Sequence, residues 1–168
     1  MLAALTSLVR SDVAIVVPGV GDRGLLDEIK RLAIETPGKI AIHPESGPGA
    51  ERQLLAGADA ILLANAQDHL GRAAGLAMRY ATLPLAPDSA ANRDYLVDFD
   101  TGTRTGTALL FRPDDAFEWL SAVMRATTLR GNPDLWRDLQ SRLMPQAPSW
   151  TAAAALCESL CLAPTAAA

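Results

Sequence analysis

The residues best suited to chemistry lie close together in residues 68–72, where a loop leads into a predicted helix. Asp68 supplies a carboxylate, Leu70 and Gly71 lead into the helix, and Arg72 places a guanidinium in its first turn. The N–H groups at the start of a helix attract anions, because they carry partial positive charge. We therefore expect this stretch to bind a phosphate or sulfate group, and we assign no catalytic residue to it.

A second turn, which carries Gly19 and Gly21, belongs to the same predicted site. It directly follows the apolar strand Val13–Val17, and the loop before Gly71 follows the strand Ala60–Leu63. The carboxyl ends of parallel strands meet at one edge of a sheet, which is where ligands bind in open α/β folds. The glycine turn is not the dinucleotide-binding fingerprint, which needs a longer glycine spacing.

Each of these side chains also has an interpretation without a ligand. Gly71 can serve only as a permissive turn residue, Asp68 as an exposed loop charge and Arg72 as a surface cation. His69 is interpreted as a solvated loop residue. His43 follows a strand and can reach a cleft at the carboxyl edge of the sheet, but the sequence supplies no partner acid for it. The sequence leaves both kinds of interpretation open.

The elements that position these residues alternate between short apolar strands and amphipathic helices. This alternation is typical of an α/β protein with an open parallel sheet flanked by helices. The predicted strands are Val13–Val17, Lys39–Ile42, Ala60–Leu63, residues 83–85 and Thr107–Phe111. From residue 114 onward the chain is predicted to be helical, with Pro133 in a first turn and Ser149 as an N-cap. We expect residues 1–163 to form one domain and residues 164–168 a disordered tail.

Length, composition and charge argue against several classes of protein. The 168 residues are 49% hydrophobic, which is enough for one substantial core. The formal net charge of −4, without a basic run, argues against binding to nucleic acid or to an anionic membrane surface. The longest apolar runs are too short to cross a bilayer, and the N-terminus lacks a secretory pattern. We therefore expect a cytoplasmic protein.

Two cysteines complete the set of reactive side chains. Cys157 and Cys161 lie four residues apart, on one face of a predicted helix. A metal site would need further ligands nearby, and disulfides are rare in cytosolic proteins. We expect buried or half-buried thiols, and neither a metal nor a cofactor.

Several short motifs, in order and at nearly constant spacing, resemble one known family. They are Val16-Val17-Pro18-Gly19-Val20-Gly21-Asp22, Gly57-Ala58-Asp59, Met78-Arg79-Tyr80, Gly106–Phe111, Asn132-Pro133 with Trp136, and Pro148-Ser149-Trp150. Each motif is weak alone, but together they cover nearly the whole chain. The chain resembles the carboxyl-terminal, sugar-nucleotide-binding lobe of the bacterial glycogen and starch synthases, retaining glucosyltransferases with the two-lobed GT-B fold. The resemblance implies a Rossmann-like lobe with ADP or ADP-glucose as ligand.

The same comparison of motifs reveals departures from the family pattern. The family glutamate that contacts the donor sugar corresponds to Asp68, and the threonine that contacts phosphate corresponds to Ala73. A Gly-Tyr pair beside the nucleoside corresponds to Glu45-Ser46, and a Thr-Gly-Gly turn corresponds to Ser89–Ala91. We find no counterpart in this sequence for the phosphate-binding Arg and Lys of the family's first strand, nor for its acceptor-binding lobe. Such fixed cations supply much of the stabilisation of a leaving diphosphate.

The resemblance therefore implies a divergent lobe with at most weak binding of ADP or ADP-glucose and no glucosyl transfer on its own. Two alternatives remain open: a half-enzyme that a separate acceptor-lobe chain completes, and a non-catalytic interaction module. A sheet edge left bare by the missing first strand would also allow a homodimer. Fold alone does not establish activity, because activity depends on the site.

Overall fold

A computed structural model describes residues 2–44, 47–63, 71–113 and 115–162. The strands are β1 (Ile15–Pro18), β2 (Ile40–His43), β3 (Ala60–Leu62), β4 (Leu83–Pro87) and β5 (Leu109–Phe111). The helices are α1 (Leu2–Leu8), α2 (Arg23–Glu35), α3 (Pro48–Gly57), α4 (Arg72–Arg79), α5 (Ala90–Arg93), α6 (Ala116–Arg130), α7 (Pro133–Gln146) and α8 (Trp150–Leu162). The predictions for Asp68, His69, Leu70, residues 45–46 and the tail lie outside the described residues.

Short polar side chains fix where the helices begin. Asp22 caps α2, Asp115 caps α6 and Asn132 caps α7, each by accepting a hydrogen bond from a backbone N–H two or three residues later. Pro133 follows Asn132 in the first turn of α7, where its missing N–H costs nothing. Ser149 accepts a hydrogen bond from an α8 backbone N–H at 3.2 Å. The predictions for Pro133 and Ser149 are confirmed.

The described strands form two parallel sheets, where the sequence predicted a single one. β1 pairs with β2, from Ile15 opposite Ile40 to Pro18 opposite His43. β4 lies between β3 and β5 and is parallel to both. The parallel α/β class is confirmed, and the structure adds a division between β1 and β3 that the hydrophobic pattern did not indicate.

The larger core surrounds β4 and is closed by α4, α6 and α7. Its most deeply buried side chains have no exposed surface: they are Met78, Leu83, Leu109, Leu139 and Leu143. Every residue of β4 is buried, because β4 has a strand on each side and helices packed against it.

A smaller core covers β1 and β2. It consists of Leu5 and Val9, around α1, together with Ile29 of α2 and Ile40 of β2. Helix α1 also contributes to the larger core through Leu8. The two parts of the fold are therefore joined by apolar packing through α1.

Helix α8 is the exception to the packing of the other long helices. All of its residues are exposed, and the side chain of Trp150 is 86% exposed. The prediction of buried or half-buried thiols is wrong, because Cys157 and Cys161 are both free and exposed on this helix. Apolar residues all around a helix suggest burial, but in the described structure α8 buries none of them. No helix in the described residues is long and apolar enough to span a membrane.

Candidate functional site

The first predicted turn leaves the carboxyl end of β1 directly beside the end of β2. The backbone N–H of Gly19 donates a hydrogen bond to the carbonyl oxygen of His43 at 2.9 Å. A Cβ atom on residue 19 would lie 2.8 Å from the same oxygen, so any larger residue would force the backbone to shift. The close approach of two strand ends therefore explains Gly19 without a ligand.

Gly21, the second glycine of this turn, has a different role. Its φ of 133° lies where glycine is strongly favoured, and no described atom lies within 4 Å of an added Cβ atom. The turn brings Asp22 to the N-cap of α2, where its carboxylate accepts a hydrogen bond from the N–H of Leu25 at 2.8 Å. Backbone conformation accounts for Gly21, while close packing accounts for Gly19.

Gly71 precedes α4 with the left-handed dihedral angles φ 61° and ψ 17°. A Cβ atom at this position would collide with the hydroxyl of Tyr95 and lie 3.1 Å from the side-chain oxygen of Asn92. The Tyr95 hydroxyl also donates a hydrogen bond to the carbonyl oxygen of Gly71. Backbone conformation and close packing therefore both require glycine here, with or without a ligand.

Asn92 and Tyr95 connect the carboxyl end of β4 to the start of α4, and the sequence motifs did not identify either residue. Asn92 is buried, and its Nδ2 donates a hydrogen bond to the carbonyl oxygen of Pro87 at 2.8 Å. Tyr95 reaches Gly71 from the turn that follows α5. Buried polar side chains normally have hydrogen-bond partners, but a single sequence does not indicate that Asn92 is buried.

Arg72, the predicted cation of the site, is bound by an acidic side chain from α3. Its Nη2 lies 3.0 Å from Oε1 and 3.4 Å from Oε2 of Glu51, in the first turn of that helix. The Arg72 side chain is 69% exposed, so the pair contributes little to stability. Its chemical effect is larger, because Glu51 offsets the positive charge that an anion would meet at the start of α4. Sequence reasoning missed Glu51, which lies 21 residues earlier in the chain.

The structure places the described site residues beside the carboxyl ends of strands. Gly19 and Gly21 follow β1, while Gly71 and Arg72 lie beside the end of β4 through the contacts of Asn92 and Tyr95. The two pairs thus belong to the two different sheets. Asp68 and Leu70, the other predicted members, lie outside the described residues.

An open groove of about 410 Å³ lies beside the carboxyl ends of β4 and β5. Asp88 and Arg93 form one ion pair on its wall, with Oδ1 and Nε 2.5 Å apart, and Arg112 and Glu118 form another. The hydrogen bond from Arg93 lowers the pKa of the Asp88 carboxyl, and the same bond raises the pKa of Arg93. Glu118 raises the pKa of Arg112 in the same way. Each arginine of the groove therefore has an acidic partner of its own.

A metal site with three or more protein ligands has no support in the part of the chain that the structure describes. No three His, Cys, Asp or Glu side chains come together there in a way that could hold a metal ion.

Solved structures of two other proteins have a similar fold. The catalytic domain of starch synthase IV from Arabidopsis thaliana, bound to ADP and acarbose, matches with a TM-score of 0.68 over 95% of this chain and 41% of that chain. A glycosyltransferase from Rickettsia africae matches with a TM-score of 0.69 over 96% of this chain and 43% of that chain. Both are 16% identical in sequence, so they concern the fold alone. The fold is that of one lobe of a GT-B glycosyltransferase.

No protein-family model matches the chain, but curated glycogen synthases are similar to it in sequence. The glycogen synthase of Granulibacter bethesdensis is 30% identical over 154 residues, which are 90% of this chain and 32% of the relative. The glycogen synthase of Desulforudis audaxviator is 28% identical over 151 residues, which are 89% of this chain and 30% of the relative. Nearly the whole chain is therefore similar in sequence to one part of the glycogen synthases, as a divergent counterpart of their carboxyl-terminal lobe. It spans about a third of the length of the curated relatives that it matches.

Proposed function

We propose that this chain is the nucleotide-binding lobe of a glycogen or starch synthase-like glucosyltransferase, that it binds ADP or ADP-glucose weakly, and that it does not transfer glucose on its own. The observation that carries the proposal is the arrangement at the start of α4 in a chain similar to the glycogen synthases. There the helix start and the Arg72 guanidinium could both contact an anion. Glu51 already binds that guanidinium and would compete with the anion for it.

Binding is supported by the chemistry of the helix start. The partial positive charge at the beginning of α4 favours a phosphate group, and Arg72 adds a guanidinium suited to bidentate contact with phosphate oxygens. The starch synthase IV domain that shares this fold was solved with ADP bound. A nucleoside diphosphate is therefore the ligand class that this lobe is proposed to take, at the edge formed by Gly19, Gly21, Gly71 and Arg72 together with Asp68 and Leu70.

We expect ADP to bind weakly for two reasons: one side chain offsets the positive charge of Arg72, and another lacks a hydroxyl that could contact the diphosphate. Glu51 lies 3.0 Å from Arg72 and must be displaced or shared before the guanidinium can serve a phosphate. Ala73 lacks the hydroxyl that the family threonine would offer. We expect a dissociation constant of about 1 mM for ADP, which corresponds to roughly 4 kcal/mol of binding free energy.

Titration calorimetry with ADP and ADP-glucose tests this proposal directly. Arg72→Ala is expected to weaken ADP binding, and Glu51→Gln is expected to strengthen it by about two- to fivefold, the range of an exposed ion pair. Asp134→Asn is the matched control, because it also removes one acid of an exposed ion pair, that with Arg137 in α7. Equal affinities for Arg72→Ala and the unaltered chain would show that the site assignment is wrong.

Glucosyl transfer provides the second test. The purified chain, given ADP-glucose and glycogen, is expected to incorporate no labelled glucose above a heat-killed control. Loss of a single fixed donor to a developing negative charge typically lowers a rate by about 10²–10³-fold, and Ala73 lacks the hydroxyl of the family threonine. Incorporation well above the control would contradict the proposed inactivity and leave the nucleotide-binding proposal standing.

A second candidate, a half-enzyme completed by a separate acceptor-lobe chain, is favoured by the exposure of α8. The helix presents Trp150, Leu156, Leu160 and Leu162, all more than 60% exposed. Large apolar side chains that are exposed along a helix often mark a contact with another protein. Co-expression with an acceptor-lobe chain, followed by co-purification and the same transfer assay, distinguishes this candidate from an isolated binding lobe.

A further inference from the structure

Helix α8 carries two thiols that neither the packing of the fold nor the proposed nucleotide site uses. Cys157 and Cys161 are both free and exposed. They lie four residues apart in a helix of 13 residues, so they occupy the same face on successive turns. They are the two cysteines of the whole sequence. The helix thus holds every thiol of the chain side by side on one exposed surface.

The helix keeps these two thiols too far apart to bond to each other. The Cβ atoms of residues four apart in a helix are separated by about 5–6 Å. A disulfide requires Cβ atoms about 3.5–4.5 Å apart, and departures from that geometry strain the bond. Cys157 and Cys161 can therefore form a disulfide within the chain only if this turn of α8 unwinds. As long as α8 is helical, both sulfur atoms remain available to an external partner.

The same separation suits an ion placed between the two sulfur atoms. A bond from a thiolate to a metal ion is about 2.3 Å long, so an ion held from two opposite sides places its sulfurs roughly 4.6 Å apart. Rotation about the Cα–Cβ bond of each cysteine brings the sulfur atoms from the helix spacing to that distance through ordinary rotamers. The backbone of α8 does not have to change. The spacing of the pair therefore fits an ion with two ligands.

The number and kind of ligands decide which ion fits this pair. Zn²⁺ in structural sites takes four ligands, and Ca²⁺ and Mg²⁺ take six or more, mostly oxygen atoms. Because no three His, Cys, Asp or Glu side chains come together in the described residues, these ions do not find their usual sets of ligands there. The lack of further ligands argued against a metal site in the sequence, and for these ions that argument holds. Soft thiolates select Cu⁺ instead, an ion with a filled d shell that is stable between two sulfurs.

An ion at this position would also stabilise a helix that has little other support. None of the residues of α8 is buried, and Ser149 caps its first turn by accepting a hydrogen bond from the N–H of Ala152. Isolated helices shorter than about 12–15 residues are marginal in water, because closing the first turn costs more than it gains. An ion that joins residues 157 and 161 holds one turn closed. Binding of the ion and formation of the helix are therefore coupled, as in other small metal sites.

We propose that Cys157 and Cys161 form a binding site for one Cu⁺ ion, which the two thiolates hold between successive turns of α8 and which stabilises this helix. Each thiol releases one proton as its sulfur binds, so one ion replaces two protons. No oxidation state changes, and no further reactant takes part. The site belongs to a different element from Gly71, Arg72 and Glu51, so it does not depend on the proposed binding of nucleotide.

Competition with the chelator bicinchoninate measures the affinity of the full chain for Cu⁺, under nitrogen and with a phosphine reductant. We expect one ion per chain and an elution volume in size-exclusion chromatography that the ion does not change. Absence of binding would overturn the proposal. One ion for every two chains would overturn it as well, because the thiols of different copies would then share the ion.

Variants that keep two thiols but change their spacing distinguish a built site from the general affinity of thiols for Cu⁺. Cys161→Ser combined with Leu160→Cys places the thiols three residues apart, still as neighbours on the helix surface. Cys161→Ser combined with Ser159→Cys places them two residues apart, where they do not face each other. All of these positions are exposed, so the fold is expected to tolerate the changes.

The two spacings are expected to differ strongly in affinity. The variant with a spacing of three should bind Cu⁺ within about tenfold of the unaltered chain. The variant with a spacing of two should bind about 100-fold more weakly, the upper end of the range for loss of a group that supports a metal ligand. Equal affinities of the unaltered chain and both variants would show that the helix does not organise the thiols, and the proposal would be wrong.

Amide hydrogen exchange tests the effect of the ion on the helix. Saturating Cu⁺ is expected to slow the exchange of the α8 amides near Cys161 by about tenfold, and to leave the amides of the buried turn around Leu139 in α7 unchanged. The variant with a spacing of two is the control, because the same ion should not slow its exchange. Tight binding to the unaltered chain without slower exchange in α8 would contradict the proposed stabilisation. None of these measurements involves nucleotide, so their outcome is independent of the tests with ADP.

Discussion

The half of the fold around β4 and the half formed by β1 and β2 are built from similar apolar sequences but differ greatly in burial. All five residues of β4 are buried beneath α4 and α6, and α7 packs against these two helices. In β1, exposed residues alternate with half-buried ones, and among the described residues the core above it contains four buried side chains, from Leu5, Val9, Ile29 and Ile40. Burial in this fold therefore depends on how many neighbours a strand has, and not on its hydrophobicity alone.

The residues of the candidate site are distributed over both halves. Gly71 and Arg72 are attached to the well-packed half through Asn92, Tyr95 and the end of β4. Gly19 and Gly21 are attached to the thinly covered half. A ligand that contacts both turns would have to order the weaker half, and the free energy of that ordering would be taken from binding.

The largest predicted effect comes from removing side-chain volume in the well-packed half. Leu139→Ala is expected to lower the free energy of global unfolding by about 2–5 kcal/mol, because Leu139 has no exposed surface and the cavity would be enclosed. Ile29→Ala, at 3% exposure in the other half, is expected instead to act mainly on the local stability of α2, β1 and β2. Denaturant unfolding measures the first effect, and amide exchange measures the second.

The two substitutions together test whether the two halves of the fold differ in stability. If Ile29→Ala lowered the global unfolding free energy as much as Leu139→Ala, and the amides of β4 lost protection in step with those of β1, the halves would unfold as one unit. The division between them would then have no energetic meaning. Protection lost in β1 and β2 alone would support it.

Local features of the fold were predictable because they depend on neighbouring residues. Asp22 precedes the apolar pattern of α2, and Asn132 with Pro133 marks the start of α7; such residues fix a helix start through contacts within one turn. The alternation of strands and helices gave the parallel class. The division between β1 and β3 was not predictable, because pairing between strands depends on residues far apart in the chain.

The candidate site was predictable only at its glycines. Gly19 and Gly71 stood out as turn residues, but the reasons for them, the carbonyl of His43 and the hydroxyl of Tyr95, come from residues 24 positions away in each case. The pairing of Arg72 with Glu51 likewise joins the first turns of two separate helices. Long-range contacts of this kind leave no pattern in a single sequence.

Gly71→Ala is predicted to have an intermediate effect on the free energy of unfolding. It tests whether the close packing of the β4 half includes the start of α4, where the candidate site lies. A non-glycine residue at φ 61° costs about 1–3 kcal/mol, and the added methyl group would also displace Tyr95. Gly49→Ala in α3 is the matched control, because no described atom lies within 4 Å of the added Cβ atom and alanine favours a helix. Denaturant unfolding should show a loss for Gly71→Ala and no loss for Gly49→Ala. Equal behaviour of the two variants would mean that Tyr95 does not constrain the start of α4.

The smallest predicted effect concerns the ion pair of Asp88 and Arg93, at the rim of the well-packed half. The pKa of Asp88 is lowered in the folded state by the hydrogen bond from Arg93, so the unfolded chain binds a proton more readily. The pair therefore stabilises the fold above the ordinary aspartate pKa of about 3.9, and this contribution is lost as the pH falls through the lowered pKa. Asp88→Asn is expected to reduce the melting temperature at pH 7 by no more than about 2 °C, because Arg93 is largely exposed, and the difference should shrink below about pH 4.

A double-mutant cycle isolates this contribution from other acids of the chain. Arg93→Gln should produce a loss similar to that of Asp88→Asn at pH 7, and the double variant should lose little more than either single variant, because both remove the same interaction. Thermal melts at several pH values compare each single variant and the double variant with the unaltered chain. Additive losses in the double variant, or a difference that grows as the pH falls, would show that Asp88 and Arg93 act separately and that the rim of the groove is not held by their pairing.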